Sequence, residues 1–91
     1  MKRVEIIANR SVEEDLMDRL AEARLDRNYT KFPVVHGSGR QGKREGEAAW
    51  PEENFVLVIY CEEAEAEALE SIVADLKPHF PHEGIKLFCM G

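Results

Sequence analysis

The segment Gly37-Ser38-Gly39-Arg40-Gln41-Gly42-Lys43-Arg44 concentrates residue types that hold anions. Glycines let successive backbone N–H groups turn toward one point, and Arg40, Lys43 and Arg44 set positive charge beside them. The same composition also suits a solvated loop whose glycines supply only bends, because Glu45 and Glu47 partly cancel that charge. Residues 37–42 spell G-x-G-x-x-G. A dinucleotide-binding fingerprint opens a helix inside a βαβ unit, whereas this segment opens a loop between two strand-like runs, so no helix dipole faces a pyrophosphate.

A second group of residues has metal-ligating chemistry. Imidazole and thiolate suit zinc, copper or nickel, and the chain carries His36, His79, His82, Cys61 and Cys89. His79 and His82 are the candidates that lie closest together in sequence. Pro78 and Pro81 keep them from sharing a helical face, and the spacing meets no established ligand pattern. Two cysteines are too few for a disulfide scaffold or an all-thiol zinc site. Nucleophilic catalysis needs a base held by a third group, and no spacing here supplies one. Trp50 is of the type that anchors interfaces, or it packs the loop's return against the chain beside Pro51.

These residues must be positioned by regular elements. Val4-Glu5-Ile6-Ile7-Ala8 reads as a first strand. Ser11-Val12-Glu13-Glu14 has the pattern of a capping box, with Ser11 as the cap. Val12, Leu16, Leu20 and Ala23 then share a helical face opposite Glu14, Asp15, Asp18 and Glu22, and this predicts a helix ending near residues 26–28. Tyr29 to His36 returns to strand composition, and Pro33 places that strand at an edge or at a bulge. From Gly37 to Glu53 there is no hydrophobic period, and loops of that length in small domains are usually functional.

Phe55 to Cys61 is the most strongly β-prone run. Glu62 and Glu63 open a second helix whose Ala68, Leu69, Ile72, Val73 and Leu76 share a face, and Pro78 and Pro81 stop it. Gly84 to Met90 is a final short strand. The order β-α-β-β-α-β predicts an α+β, ferredoxin-like fold, an antiparallel sheet with two helices on one face. Cys61 and Cys89 then flank the first strand about 10 Å apart, too far for a disulfide, and both read as buried hydrophobes.

In the third strand Phe55, Leu57, Ile59 and Cys61 alternate with Val56, Val58 and Tyr60. The helices can cover only one of these faces. Burying each large side chain on the other stabilises by roughly 1.5–3 kcal/mol, so that face predicts self-association.

Composition narrows the function classes. Ninety-one residues of 10.4 kDa suit a single domain over residues 1–91, and the 44% hydrophobic and 33% charged shares are those of a folded globular chain. No apolar run approaches a membrane span, and Glu5 and Asn9 interrupt any signal-peptide core, which predicts a cytoplasmic protein. Twelve basic residues against eighteen acidic ones give a net charge of −6, which argues against nucleic acid as a partner.

The stretch Val35-His36-Gly37-Ser38-Gly39-Arg40-Gln41, leaving a strand for a long loop, resembles the G-x-G-R-Q segment at the base of the T-loop in nitrogen-regulatory PII proteins. Lys86-Leu87-Phe88 is similar to that family's K-I-F strand, and the element order agrees along the whole chain. The resemblance implies a homotrimeric, non-enzymatic signalling protein that binds ATP, ADP or another small anion, such as a carboxylate, in clefts between subunits. Its T-loop-like segment, residues 37–53, would act on a protein partner: a transporter, an enzyme or a regulator. Gly37, Gly39 and Arg40 would lie near a ligand's phosphates. Gln41 corresponds to a glutamine that helps hold magnesium and 2-oxoglutarate, and Lys86 to a phosphate-binding lysine. Lys43, Arg44 and Trp50 would face the partner.

The pattern also departs from the family. Glu83-Gly84-Ile85-Lys86 stands where the family has G-D-G-K, Glu53-Asn54 stands where an early lysine is expected, and no basic residues follow the last strand. Each departure removes positive charge from the cleft, so the sequence predicts a retained architecture with a changed ligand. The alternative is a metal-sensing or metal-tolerance trimer of the same fold, with His79 and His82 as ligands.

Overall fold

A computed structural model describes residues 1–37 and 52–91. The order is β1 (Lys2–Asn9), a 3-10 turn (Arg10–Val12), α1 (Glu13–Glu22), β2 (Tyr29–Gly37), β3 (Glu52–Cys61), α2 (Glu63–Leu76), a second 3-10 turn (Lys77–His79) and β4 (Ile85–Met90). The strands form one sheet in the order β2-β3-β1-β4, and every pairing is antiparallel. This is the ferredoxin-like α+β arrangement expected from the element order.

The core follows from alternation along the two central strands. Val4, Ile6 and Ala8 of β1 and Phe55, Leu57, Ile59 and Cys61 of β3 are buried against Val12, Leu16 and Leu20 around α1 and Ala66, Leu69, Val73 and Leu76 of α2. No polar or charged side chain is buried among the described residues, so the core is held by apolar burial alone. Pro33 lies within a register shift between Phe32 and Val35 on an edge strand, which accommodates its missing N–H. None of β2 is fully buried; it is held by its pairing to β3 and by the Lys31 Nζ to Glu13 Oε2 ion pair at 2.7 Å.

Three local expectations need correction. Ser11 does not cap α1: Asn9 Oδ1 accepts from Ser11 N at 3.0 Å and caps a preceding 3-10 turn, so the chain begins to coil one step earlier. The helix also stops at Glu22 rather than near residue 26. Leu25 N donates to Leu20 O at 2.8 Å and Arg24 N to Ala21 O at 3.1 Å, a Schellman closure that requires Arg24 at φ 58°. Local closure by the backbone thus overrides the hydrophobic period. Finally, Cys89 is exposed while Cys61 is buried. Both flank β1 as expected, paired in register with Val4 and Lys2 respectively, but β4 is an edge strand and α2 leaves its outer end open.

Candidate functional site

Gly37 and Glu52, which bound the segment outside the described residues, lie at one end of the sheet, and that end gathers several polar groups. Gly37 pairs in register with Glu52, and Asn9 with Asn54. Asn9 N donates to Gly84 O at 3.0 Å, which fastens the turn before β4 to the same end. Arg10 Nη1 meets Glu53 Oε1 at 3.2 Å, an exposed ion pair that occupies one cation at the loop base. Sequence reasoning missed this pair because its partners come from segments 43 residues apart.

Gly37 sits close against the Asn54 side chain. A β-carbon at this position would lie 2.9 Å from Asn54 Nδ2. Gly39, Arg40, Gln41, Lys43, Arg44 and Trp50 lie outside the described residues.

Lys86 is exposed and pairs across β1 with Ile7, on the sheet face turned away from the helices. It sits on β4 and Gly37 on β2, which are the two edges of the sheet. Three strand spacings separate them, roughly 14 Å across the sheet alone, so a single chain does not bring them together.

At the opposite end of the sheet a cavity of about 270 Å³ opens between the α1–β2 connection, the end of β3 and the start of α2. Arg24, Arg27 and Asn28 line its rim with Glu65, over Ile59, Cys61 and Leu69. Burial pushes the Cys61 thiol above its ordinary pKa, with Glu65 adding to the shift, so the group stays protonated at neutral pH. The hydrophobic period, which extended α1 past residue 24, hid this concavity; no sequence signal marked it.

His79 and His82 are both exposed, in the turn after α2 and the loop beyond it. Among the described residues no group of three or more His, Cys, Asp or Glu side chains converges on one point. No helix there is long and apolar enough to cross a membrane.

The sheet face without helices is the other candidate surface. It presents three rows across the strands: Tyr60, Arg3 and Met90; Val58, Glu5 and Phe88; Val56, Ile7 and Lys86. Phe32, Tyr60, Phe88 and Met90 are between 44% and 53% exposed, well above what such side chains show in a covered sheet.

A family model described as nitrogen regulatory protein P-II matches residues 1–90. A PII-like signalling protein from Thermus thermophilus is similar in structure, with a TM-score of 0.64 at 22% identity over 98% of this chain and 83% of that one. CPII, a nitrogen regulatory PII-like protein from Thiomonas intermedia, superposes with a TM-score of 0.69 at 19% identity, over 98% of this chain and 86% of that one. The CPII structure was solved bound to ADP, AMP and bicarbonate. No curated protein matches the chain at a significant level.

Proposed function

The chain belongs to the nitrogen regulatory protein P-II family, and on that premise we propose that it is a homotrimeric cytoplasmic regulator that binds a small anionic ligand between subunits. It is a signalling protein and not an enzyme, as PII proteins are. The ligand is a nucleotide or a carboxylate. Its phosphate or carboxylate contacts are assigned to Gly37, Gly39, Arg40 and Gln41 of one subunit, with Lys86 supplying further charge. The loop then presents Lys43, Arg44 and Trp50 to a protein partner, whether transporter, enzyme or regulator.

The observation that carries this reading is the placement of Gly37 and Lys86 on opposite edges of one sheet. A ligand contacting both must lie where the edges of two copies meet. The open apolar face supports the same assembly, since a second copy covers it most economically. The metal reading has no converging ligand set among the described residues to support it, and it is not proposed.

The test is a thermal-shift screen with ADP, AMP, bicarbonate, 2-oxoglutarate and divalent metals, followed by calorimetry. A ligand at about one hundred times its Kd stabilises the protein by roughly 2.7 kcal/mol, a shift readily seen in a domain of this size. Arg40→Ala should weaken anion binding at least about tenfold through the lost charge-assisted hydrogen bonds, and leave the oligomer intact. A response to metals alone, lost in the double variant His79→Ala, His82→Ala and unaffected by Arg40→Ala, would overturn the reading.

A further inference from the structure

The uncovered sheet face is not uniformly apolar. Arg3 and Glu5 are alternate residues of β1, an inner strand, so both side chains emerge on this face, toward one end of the sheet. Arg3 Nε donates to Glu5 Oε2 at 2.9 Å, Arg3 Nη2 lies 2.8 Å from the same oxygen, and Arg3 Nη1 donates to Tyr60 Oη at 2.6 Å. The guanidinium also lies over the Tyr60 ring, 5.5 Å from its centroid. Hydrogen bonding to Glu5 leads the effects that hold the Arg3 pKa above its ordinary value. Val58, Phe88 and Met90 surround this cluster in register.

A guanidinium has five N–H donors. Glu5 and Tyr60 leave at least one N–H on each of Nη1 and Nη2 without a partner among the described residues. An apolar surface laid over this face would bury those donors unsatisfied and forfeit much of what it gained. A surface that covers Arg3 must therefore bring acceptors to it among the apolar contacts of Val58, Phe88 and Met90. The cluster is also charge-balanced, which selects against a strongly basic or acidic partner. A copy of the same chain meets both requirements, because its own face combines apolar side chains with the acceptors of Glu5, Asn54 and Tyr60.

We propose that the Arg3–Glu5–Tyr60 cluster orients a second copy of this chain on the open sheet face, with acceptors of that copy completing the Arg3 guanidinium. The inference rests on the trimer reading above and adds the element that selects one packing among many. Apolar surfaces of this kind slide easily; one buried, hydrogen-bonded charge pair admits few registers.

The test compares oligomer size and dissociation concentration, by light scattering and sedimentation, for the wild type and four variants. Glu5→Gln leaves the Arg3 charge without its carboxylate and should raise the dissociation concentration at least about tenfold. Arg3→Met leaves the Glu5 carboxylate unpaired and should weaken assembly comparably, whereas Tyr60→Phe should weaken it less. The double variant Arg3→Met, Glu5→Met should assemble about as tightly as the wild type, or more so, while losing a single stoichiometry. Far-UV circular dichroism confirms that each variant folds, as these side chains lie outside the core. A double variant that keeps one wild-type-sized species overturns the orienting role, and so does a Glu5→Gln protein that assembles normally. A monomeric wild type at micromolar concentration overturns both this inference and the trimer itself.

Discussion

Gly37 and Asn54 face each other at the base of the loop so closely that a β-carbon on Gly37 would meet Asn54 Nδ2 at 2.9 Å. The obstructing atom is the end of a side chain, so it can move, and the backbone at Gly37 is ordinary strand. Gly37→Ala should therefore cost less than about 1 kcal/mol in urea unfolding, and Asn54→Ala should absorb most of that loss. A double-mutant cycle with no coupling would show that the two residues do not constrain each other.

The end of α1 carries avoidable strain. Arg24 adopts φ 58° to close the Schellman turn, a conformation that is costly for a residue with a β-carbon. Arg24→Gly removes that strain at some expense in unfolded-state entropy, for a net gain of about 0.5–1 kcal/mol. Calorimetry should show the melting temperature rising by roughly 2–6 °C. An unchanged or lower melting temperature would mean that the Arg24 side chain stabilises the turn through contacts along the cavity rim.

The two thiols differ in reactivity. Cys89 is exposed, whereas Cys61 is buried and its pKa is raised by that burial, so little Cys61 thiolate forms at neutral pH. A disulfide reagent such as Ellman's should modify Cys89 rapidly and Cys61 only on unfolding. The variant Cys89→Ser should remove the fast phase entirely; a fast phase that persists would place Cys61 within reach of solvent.

Val58 lies on the open sheet face beside Glu5 in register. Val58→Glu sets a second carboxylate next to that one, and assembly would bury it unpaired. The prediction is a folded monomer of 10.4 kDa by light scattering. An oligomer of wild-type size would show that the face remains open to water in the assembly.

The order of strands and helices was legible in the sequence because each run of residues carries its own pattern. Val4 to Ala8 and Phe55 to Cys61 are short β-prone apolar runs, and Leu16, Leu20, Leu69, Val73 and Leu76 repeat at helical spacing. Pro33 announced its edge or bulge because a missing N–H has few other places to go. The G-x-G-R-Q segment pointed to the family that the match over residues 1–90 shows. Two local choices at the ends of α1 were not legible, and tertiary structure alone decided two further things. Asn9 caps a 3-10 turn ahead of α1 where a Ser11 cap was expected, and Arg24 ended α1 early, because backbone groups at a helix end bond to whatever the turn brings within reach. Cys89 stayed open to solvent because exposure depends on where α2 crosses the sheet, not on residue type. Arg3 met Tyr60 across 57 positions of sequence because strand register, which no local pattern encodes, sets them side by side.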